Sequence, residues 1–199
     1  MPRIDWRRTE FLLGTSSPGE WPRHRAAEIA FVGRSNVGKS SLLNALTGKK
    51  SLSRVSKTPG CTRQILFFPV TPGLCLVDLP GYGYARRGGE EREAWGKHIE
   101  KYLEDRENLR LLVLLVDSRH EPTPLDRALL EYAARIGRPL QIVLTKVDVL
   151  SGNERMKALR RAAESLPGGP LGAPLAVSAK TGEGMEELRG LFEETARSR

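Results

Sequence analysis

The sequence predicts an α/β fold in which a mostly parallel, six-stranded sheet with one antiparallel edge strand carries helices on both faces. Short apolar segments alternate with helix-length segments from Glu28 onward, the order typical of parallel sheets with right-handed crossovers. Residues 109–116 are wholly apolar, which indicates a strand buried on both faces. Thr71, Pro72 and Gly73 separate two strand-like segments, which predicts a hairpin and hence the antiparallel strand.

The elements follow one another in a regular order. Residues 1–25 mix Arg, Pro, Gly and Ser with a few apolar anchors, and we expect an extension that packs on the edge of a single domain at 26–199. A helix at 40–46 runs to Gly48, a common helix end, and the polar residues 49–63 are predicted to form a loop. Hydrophobic spacing predicts strands at 28–32, 64–70, 74–77, 109–116, 140–144 and 175–177, and helices at 40–46, 90–105, 124–136, 154–166 and 183–196.

The charge of the chain favours a polyanionic partner. Its 32 basic and 24 acidic residues leave a formal net charge of +8, which favours polyanions as partners, although a solvated, arginine-rich surface is an equal alternative. No apolar run reaches the roughly 18 residues that span a bilayer, and the start lacks the apolar stretch of a secretory signal. The two cysteines form no CxxC pair. We therefore expect a cytoplasmic protein without membrane contact or disulfide framework.

A phosphate-binding loop follows the first strand of the domain. The segment matches GxxxxGK[ST] between a strand and a helix, the context that the motif requires. Glycines let backbone N–H groups close around phosphate oxygens, and the amino end of the helix adds partial positive charge. Lys39 is expected to reach the outer phosphates and Ser40 to ligate magnesium. The predicted nucleotide contacts here are Gly33, Arg34, Ser35, Asn36, Val37, Gly38, Lys39, Ser40 and Ser41.

A DxxG segment is expected to complete the phosphate end of the site. It follows the strand at 74–77, and its spacing behind the phosphate loop makes an otherwise common turn specific. Asp78 is expected to hold the shell around magnesium without ligating the ion directly. The Gly81 amide is expected to bond the γ-phosphate. Leu79 and Pro80 lie between them and complete the predicted contacts.

One threonine between these motifs is expected to join magnesium and the γ-phosphate, and to release both after hydrolysis. Thr58 and Thr62 are the candidates. Thr62 fits better because it lies just before the strand at 64–70. An ordinary loop threonine is the alternative. Gly60 and Cys61 are predicted to contact the nucleotide beside it.

Two segments at later strand ends indicate recognition of guanine. Asp148 of the Thr-Lys-Val-Asp sequence can accept from guanine N1–H and the 2-amino group, whereas adenine would leave that carboxylate unpaired. Lys146 can lie along the purine plane. Thr145 stands where asparagine is usual, which leaves the contact made by that side chain open, and a capped helix start is the structural alternative. Ser178, Ala179 and Lys180 follow the last strand and are predicted to support the guanine carbonyl oxygen, and Val177, which ends that strand, is a further predicted contact.

The catalytic machinery lacks one familiar part. Tyr82 follows DxxG, where Ras-like enzymes place a glutamine that orients the attacking water, so intrinsic hydrolysis should be slow unless another group helps. Asn36 can ligate a potassium ion beside the phosphates or simply stabilise the loop, and both interpretations stay open. The predicted catalytic residues are Lys39, Thr62, Gly81 and Asn36.

Together these motifs resemble the EngB family of bacterial ribosome-assembly GTPases. The resemblance rests on residues 11–13, 27–46, 57–64, 78–85 and 145–148. Its more specific marks are Gly-Tyr-Gly-Tyr-Ala at 81–85 and Thr145, and Cys61 departs from the basic residue expected there. The resemblance implies a three-layer, Ras-like P-loop GTPase domain that hydrolyses GTP to GDP with magnesium. It also implies a cytosolic monomer that meets the RNA and protein of the large ribosomal subunit precursor, with links to the cell cycle and septation.

Three other functions compete with this interpretation. A nucleotide-gated RNA-binding module with negligible hydrolysis is kept open by Tyr82. A signalling or trafficking GTPase with a protein partner is disfavoured because residues 196–199 contain no terminal cysteine box. A P-loop nucleotide kinase would need an acceptor site and a lid, and the sequence indicates neither.

Overall fold

The computed structural model describes residues 4–52, 64–71, 73–82, 89–166 and 172–198, with side chains at all of these except 71 and 89–95. The strands are β1 (Leu13–Thr15), β2 (Ala27–Gly33), β3 (Ile65–Thr71), β4 (Leu74–Asp78), β5 (Leu109–Asp117), β6 (Leu140–Thr145) and β7 (Leu175–Ala176). The helices are α1 (Lys39–Thr47), α2 (Gly89–Asp105), α3 (Pro124–Arg135), α4 (Gly152–Ser165) and α5 (Met185–Arg197). The predicted elements therefore occur in the predicted order, with ends that move by a few residues.

The strands form one sheet in the order β1-β3-β4-β2-β5-β6-β7. Strand β3 runs antiparallel to both of its neighbours, and every other pair is parallel. The α/β class with a mostly parallel sheet is thus confirmed. The sheet has seven strands rather than the six predicted, and the antiparallel strand is not at the edge, because β1 pairs outside it. Three residues are too few for an alternating pattern, so only the pairing of Leu13 with Phe67 reveals β1.

Helices cover both faces of the sheet, which gives three layers. Buried side chains of α2, α3 and α4 pack on one face, and those of α1 and α5 pack on the other. Strand β5 lies between these two layers, and its side chains from Leu111 to Leu115 are buried. This burial on both faces explains its unbroken apolar sequence. None of the helices in the described ranges has both the length and the apolar character needed to cross a bilayer.

The amino-terminal segment is bound to the domain at two places. The Trp6 ring is buried against Phe192 of α5, with ring centroids 6.3 Å apart, and its Nε1 donates to Glu193 at 3.2 Å. Farther along, the Leu12 amide donates to the Phe67 carbonyl at 2.9 Å. Backbone pairing with β3 and aromatic packing on α5 therefore both hold this segment.

The parallel strands direct their carboxyl ends to one edge of the sheet. Strands β2, β4, β5 and β6 end there at Gly33, Asp78, Asp117 and Thr145. Ligands of open α/β sheets bind beyond this edge. The segments singled out in the sequence follow these same strands, so the topology assembles them into one site.

Candidate nucleotide-binding site

The shape of the phosphate-binding loop, residues 33–40, depends on one residue packed closely against β5 and on two residues with left-handed backbone. A Cβ on Gly33 would lie 2.7 Å from the Leu115 carbonyl oxygen, so only glycine fits beside β5. Gly38 caps α1 with a φ of 105°, and Asn36 has a φ of 66°. Asparagine is among the few other residues that adopt this region readily. The loop thus turns the amino end of α1, with its partial positive charge, toward the edge of the sheet where ligands bind.

Lys39 and Asp78 meet at the centre of the site. Lys39 begins α1, Asp78 ends β4, and the Lys39 ammonium forms an ion pair with an Asp78 carboxylate oxygen. Both groups are largely withdrawn from solvent, with 13% and 3% of the side chains exposed. The arrangement places one cation and one carboxylate side by side, and each can turn to a phosphate or a metal ion.

The DxxG segment is joined directly to the phosphate-binding loop. The Tyr82 amide donates to the Gly33 carbonyl at 3.2 Å, and the Ser35 amide donates to the Tyr82 carbonyl at 3.0 Å. A Cβ on Gly81 would lie 3.2 Å from the Gly33 oxygen and 3.3 Å from the Ser35 nitrogen. Packing therefore favours glycine at position 81, because a side chain there would push on the backbone of the phosphate-binding loop.

Thr145, which stands where asparagine is usual, connects its segment to the phosphate-binding loop. Its hydroxyl, 4% exposed as a residue, donates to the Val37 carbonyl at 2.7 Å. The Thr-Lys-Val-Asp segment and the phosphate-binding loop are thereby tied together. A second tie comes from Lys146, whose ammonium donates to the Asn36 carbonyl at 2.7 Å. Lys146 has a left-handed φ of 61°, a conformation that costs energy in a non-glycine residue and that persists here where these contacts hold it.

Asp117 is a member of the site that the sequence analysis did not identify. It ends β5, accepts from Lys146 at 2.8 Å and receives two hydrogen bonds from the Arg119 guanidinium at 2.9 and 2.8 Å. Burial alone would raise the pKa of the Asp117 carboxyl, but these donors outweigh it and hold that pKa well below its usual range. Its position directly after an apolar strand was the available signal, because the other site segments follow strands in the same way.

The Asp148 carboxylate is oriented by the last predicted segment. Ser178, which is fully buried, donates through its hydroxyl to Asp148 Oδ1 at 2.7 Å. The same hydroxyl accepts from the amides of Lys180 and Thr181 at 3.2 and 3.1 Å. Because the hydroxyl has one proton to donate and donates it to Asp148, its role here is to position that carboxylate.

A cavity of about 480 Å³ opens beside Asp148. This volume falls in the range of small-ligand sites, which span roughly 300–1,000 Å³. Its walls come from the start of α1, the end of β6 and the segment after β7. They include Gly38, Ser41, Lys146, Asp148, Val177 and Lys180. A second cavity of about 180 Å³ lies on the other side of the phosphate-binding loop, between Arg34 and Asp126.

The structure therefore brings together the predicted residues of the phosphate-binding loop, DxxG, the Thr-Lys-Val-Asp segment and the segment at 177–180. Leu79 is an exception, because its side chain is buried in the hydrophobic core. Only its backbone lies in the DxxG segment between Asp78 and Gly81. Arg34 extends from the loop into solvent. Thr58, Gly60, Cys61 and Thr62 lie outside the described residues.

Comparison with known proteins agrees with this geometry. A family model described as "50S ribosome-binding GTPase" matches residues 28–146. A Pelotomaculum thermopropionicum protein named "Probable GTP-binding protein EngB" is 45% identical over 92% of each chain. A namesake from Stenotrophomonas maltophilia is 43% identical over 93% of this chain and 94% of its own. A crystal structure of a probable GTP-binding protein engB covers 87% of this chain and all of its own, with 29% identity and a TM-score of 0.73.

The fold and the site together define a P-loop GTPase, a protein that binds GTP and hydrolyses it. The relatives identify the branch: the chain belongs to the EngB family of GTP-binding proteins. The family resemblance inferred from the motifs is confirmed.

Proposed function

We propose that this protein is a GTP-dependent switch in the assembly of the large ribosomal subunit. The observation that carries the proposal is the match of residues 28–146 to a family described as 50S ribosome-binding GTPases. A net charge of +8 supports it, because contact with ribosomal RNA is mostly contact with phosphates. GTP organises the loops around its γ-phosphate and creates the ribosome-binding surface, and hydrolysis releases it.

The proposed phosphate contacts come from the loop and the DxxG segment. Lys39 binds the outer phosphates, and the Gly81 amide binds the γ-phosphate. Magnesium, when bound, neutralises phosphate charge. The hard oxygen of the Ser40 hydroxyl suits it as a ligand, and Asp78 is proposed to hold the shell around the ion without ligating it directly. The close pairing of Asp78 with Lys39 supports this assignment, since both groups then lie where phosphate and metal meet. Thr62 is proposed as a further ligand.

The proposed base contact is the Asp148 carboxylate. Ser178 holds one of its oxygens, and the cavity of about 480 Å³ lies beside it. A carboxylate oriented in this way accepts two hydrogen bonds from guanine and finds no such donors on adenine. Competition of GTP and ATP against a fluorescent GDP tests the assignment, and equal displacement by ATP would contradict it.

Hydrolysis is proposed to proceed by positioning and charge stabilisation, with no covalent intermediate. Asn36 is the candidate ligand of a stimulating potassium ion. Its support is the left-handed backbone that presents its exposed side chain at the phosphate-binding loop. Turnover in potassium is expected to exceed turnover in sodium, and Asn36→Ala should remove the difference. Equal rates in both salts would rule out the potassium role.

The protein is further proposed to act as a cytoplasmic monomer, with residues 1–25 as an extension of a single GTP-binding domain at 26–199. The packing of Trp6 on α5 and the pairing of β1 with β3 support this division. Light scattering of the full chain is expected to give the mass of one copy, in the presence of either GDP or a GTP analogue.

The deciding experiment is co-sedimentation with mature and immature large subunits at low salt. Protein loaded with a non-hydrolysable GTP analogue is expected to sediment with subunits, and protein loaded with GDP is expected to stay in solution. Small subunits provide the matched control. Absence from the large-subunit pellet in both states would leave a GTPase and remove the ribosomal role.

One observation favours a second function, a nucleotide-gated RNA-binding module with negligible hydrolysis. The Tyr82 side chain, at the position of the usual water-orienting glutamine, bonds to Asp126 of α3. Single-turnover hydrolysis in the presence of large subunits separates the two functions. A rate that rises with added subunits supports the enzyme switch, and a negligible rate with intact nucleotide-dependent binding supports the module.

A further inference from the structure

Tyr82 is held at both its backbone and its side chain. Its amide and carbonyl form the two hydrogen bonds that join the DxxG segment to Gly33 and Ser35 of the phosphate-binding loop. Its phenol reaches in the other direction and donates to Asp126 Oδ1. Tyr82 is therefore the residue that connects three parts of the site: the DxxG segment, the phosphate-binding loop and the start of α3.

The acceptor of this bond is a fixed point rather than a mobile surface group. Asp126 is 2% exposed and forms the capping box of α3 with Thr123. Its Oδ2 accepts from the Thr123 amide at 2.6 Å and from the Thr123 hydroxyl at 2.7 Å, whereas its Oδ1 accepts from Tyr82. One carboxylate thus serves the helix cap through one oxygen and the phenol through the other.

The phenol is chemically suited to remain a donor. Burial and the neighbouring Asp126 charge raise the pKa of Tyr82 far above its usual range, so the hydroxyl keeps its proton at every physiological pH. A neutral O–H that donates to a carboxylate is among the stronger hydrogen bonds in proteins, and this one is partly buried.

We propose that Tyr82 is a positioning residue for GTP hydrolysis, because its bond to Asp126 anchors the DxxG segment to α3 and thereby holds the Gly81 amide where a γ-phosphate is bound. The proposal rests on the GTPase activity of the site and is independent of any ribosomal partner. Glutamine at this position would act on the attacking water, whereas Tyr82 acts through Gly81, whose Cα lies against the backbone of Gly33 and Ser35.

This role affects the two nucleotides differently. Only GTP has the γ-phosphate that meets the Gly81 amide, so the anchor contributes to binding of a GTP analogue and to turnover but not to binding of GDP. A purely structural role for Tyr82 would instead lower both affinities together or lower the melting temperature.

The first test is Tyr82→Phe, which keeps the ring and removes the hydrogen bond. We expect affinity for fluorescent GDP within about twofold of the unmodified protein, and analogue affinity and kcat each lower by on the order of tenfold, the factor equivalent to loss of one such bond. Tyr132→Phe is the matched control, because it removes a phenol–carboxylate bond of 2.7 Å between α3 and Glu104, away from the site. It should change neither quantity.

The second test separates the anchor from the helix cap. Asp126→Ala removes the acceptor of the phenol and weakens the cap, whereas Thr123→Ala weakens the cap but keeps the acceptor, which the amide of residue 123 still holds. We expect Asp126→Ala, but not Thr123→Ala, to reproduce the loss of analogue affinity. The double variant Tyr82→Phe with Asp126→Ala should lose no more than the larger single variant, since both act through one bond.

Several results would overturn the proposal. An unchanged ratio of analogue to GDP affinity in Tyr82→Phe, together with an unchanged kcat, would exclude the anchor. Faster turnover or tighter analogue binding would show that the bond restrains the active conformation. Fully additive losses in the double variant would mean that Tyr82 acts on the nucleotide or water directly. If Asp126→Ala does not fold, Tyr82→Phe and Thr123→Ala are still sufficient to test the anchor. The unmodified protein must itself turn over GTP, and absence of that turnover would instead contradict the GTPase assignment.

Discussion

Thr145 and Val37 are joined by a hydrogen bond of 2.7 Å between the threonine hydroxyl and the valine carbonyl, across 108 positions of sequence. The bond ties the Thr-Lys-Val-Asp segment, the proposed base-recognition segment, to the phosphate-binding loop. Because the hydroxyl is buried, the bond is shielded from competing water. We therefore expect base and phosphate recognition to depend on each other, and the first prediction tests that dependence.

Thr145→Val is expected to weaken GDP and GTP-analogue binding to a similar extent, on the order of tenfold, because it leaves the buried Val37 carbonyl without its donor. Thr145→Ser keeps a hydroxyl and should bind within a few fold of the unmodified protein. Titration of fluorescent nucleotides measures both. Equal affinities for the valine and serine variants would show that the tie carries no binding energy.

Removal of Ser178 should reduce guanine selectivity. Ser178→Ala frees the Asp148 carboxylate from its 2.7 Å bond, so the carboxylate samples orientations that do not match guanine. We expect several-fold weaker GDP binding and a smaller preference over ADP in competition titrations. Ser151→Ala is the control, because Ser151 caps α4 on the surface and its loss should cost about 1 kcal/mol of stability without affecting nucleotide binding. Unchanged selectivity in Ser178→Ala would contradict the orienting role.

Magnesium removal should weaken nucleotide binding partly through the Lys39–Asp78 ion pair. Without the metal, the Asp78 carboxylate competes with phosphate oxygens for the Lys39 ammonium. We expect a chelator to lower GDP affinity of the unmodified protein, and Asp78→Asn to bind GDP more tightly than the unmodified protein in chelator but less tightly in magnesium. Calorimetry in both conditions measures this crossover. Identical ranking of the two proteins in both conditions would show that the pair does not compete with nucleotide.

A buried ion pair at the amino ends of the parallel strands should contribute more to the free energy of unfolding than an exposed pair. Glu28 of β2 is fully buried, and Arg106 donates to its carboxylate at distances that include 2.9 and 3.0 Å. Arg106→Met removes the guanidinium and leaves the buried carboxylate with the Tyr102 hydroxyl and the His24 ring as partners, and we expect a loss of about 3–5 kcal/mol in unfolding free energy by denaturant titration. Arg197→Met breaks an exposed pair with Glu193 and should cost less than about 1 kcal/mol. Comparable losses in the two variants would refute the dominance of the buried pair.

Stability should fall as the pH drops below the ordinary histidine range. Burial lowers the pKa values of His24 and His98 in the folded protein. The unfolded chain therefore binds more protons near and below pH 6.5, and the free energy of unfolding decreases there as pH falls. His24→Gln should flatten the decrease between pH 7 and pH 5, whereas His120→Gln, at an exposed position, should leave it unchanged. A pH-independent unfolding free energy across this range would contradict the burial of both rings.

Local sequence was sufficient for the fold class and for most of the site. Close approach requires glycine at 33, left-handed backbone favours it at 38 and tight packing favours it at 81, and such preferences are visible in a motif and its flanking apolar runs. Strand β1 was missed because three residues carry no period. Asp117 and Asp126 were missed because their importance lies in what they contact, Lys146 for the first and Tyr82 for the second.

By itself, the sequence determined which groups are available: a phosphate-binding loop, a DxxG segment, an aspartate proposed to recognise the base, and the alternating elements that bring them to one edge of a sheet. Only the tertiary structure decided how these groups depend on one another. Thr145 bonds to Val37, Ser178 to Asp148 and Tyr82 to Asp126 over separations of 108, 30 and 44 residues. The physical reason is that hydrogen bonds act over about 3 Å, so partners distant in sequence meet only after the chain has packed.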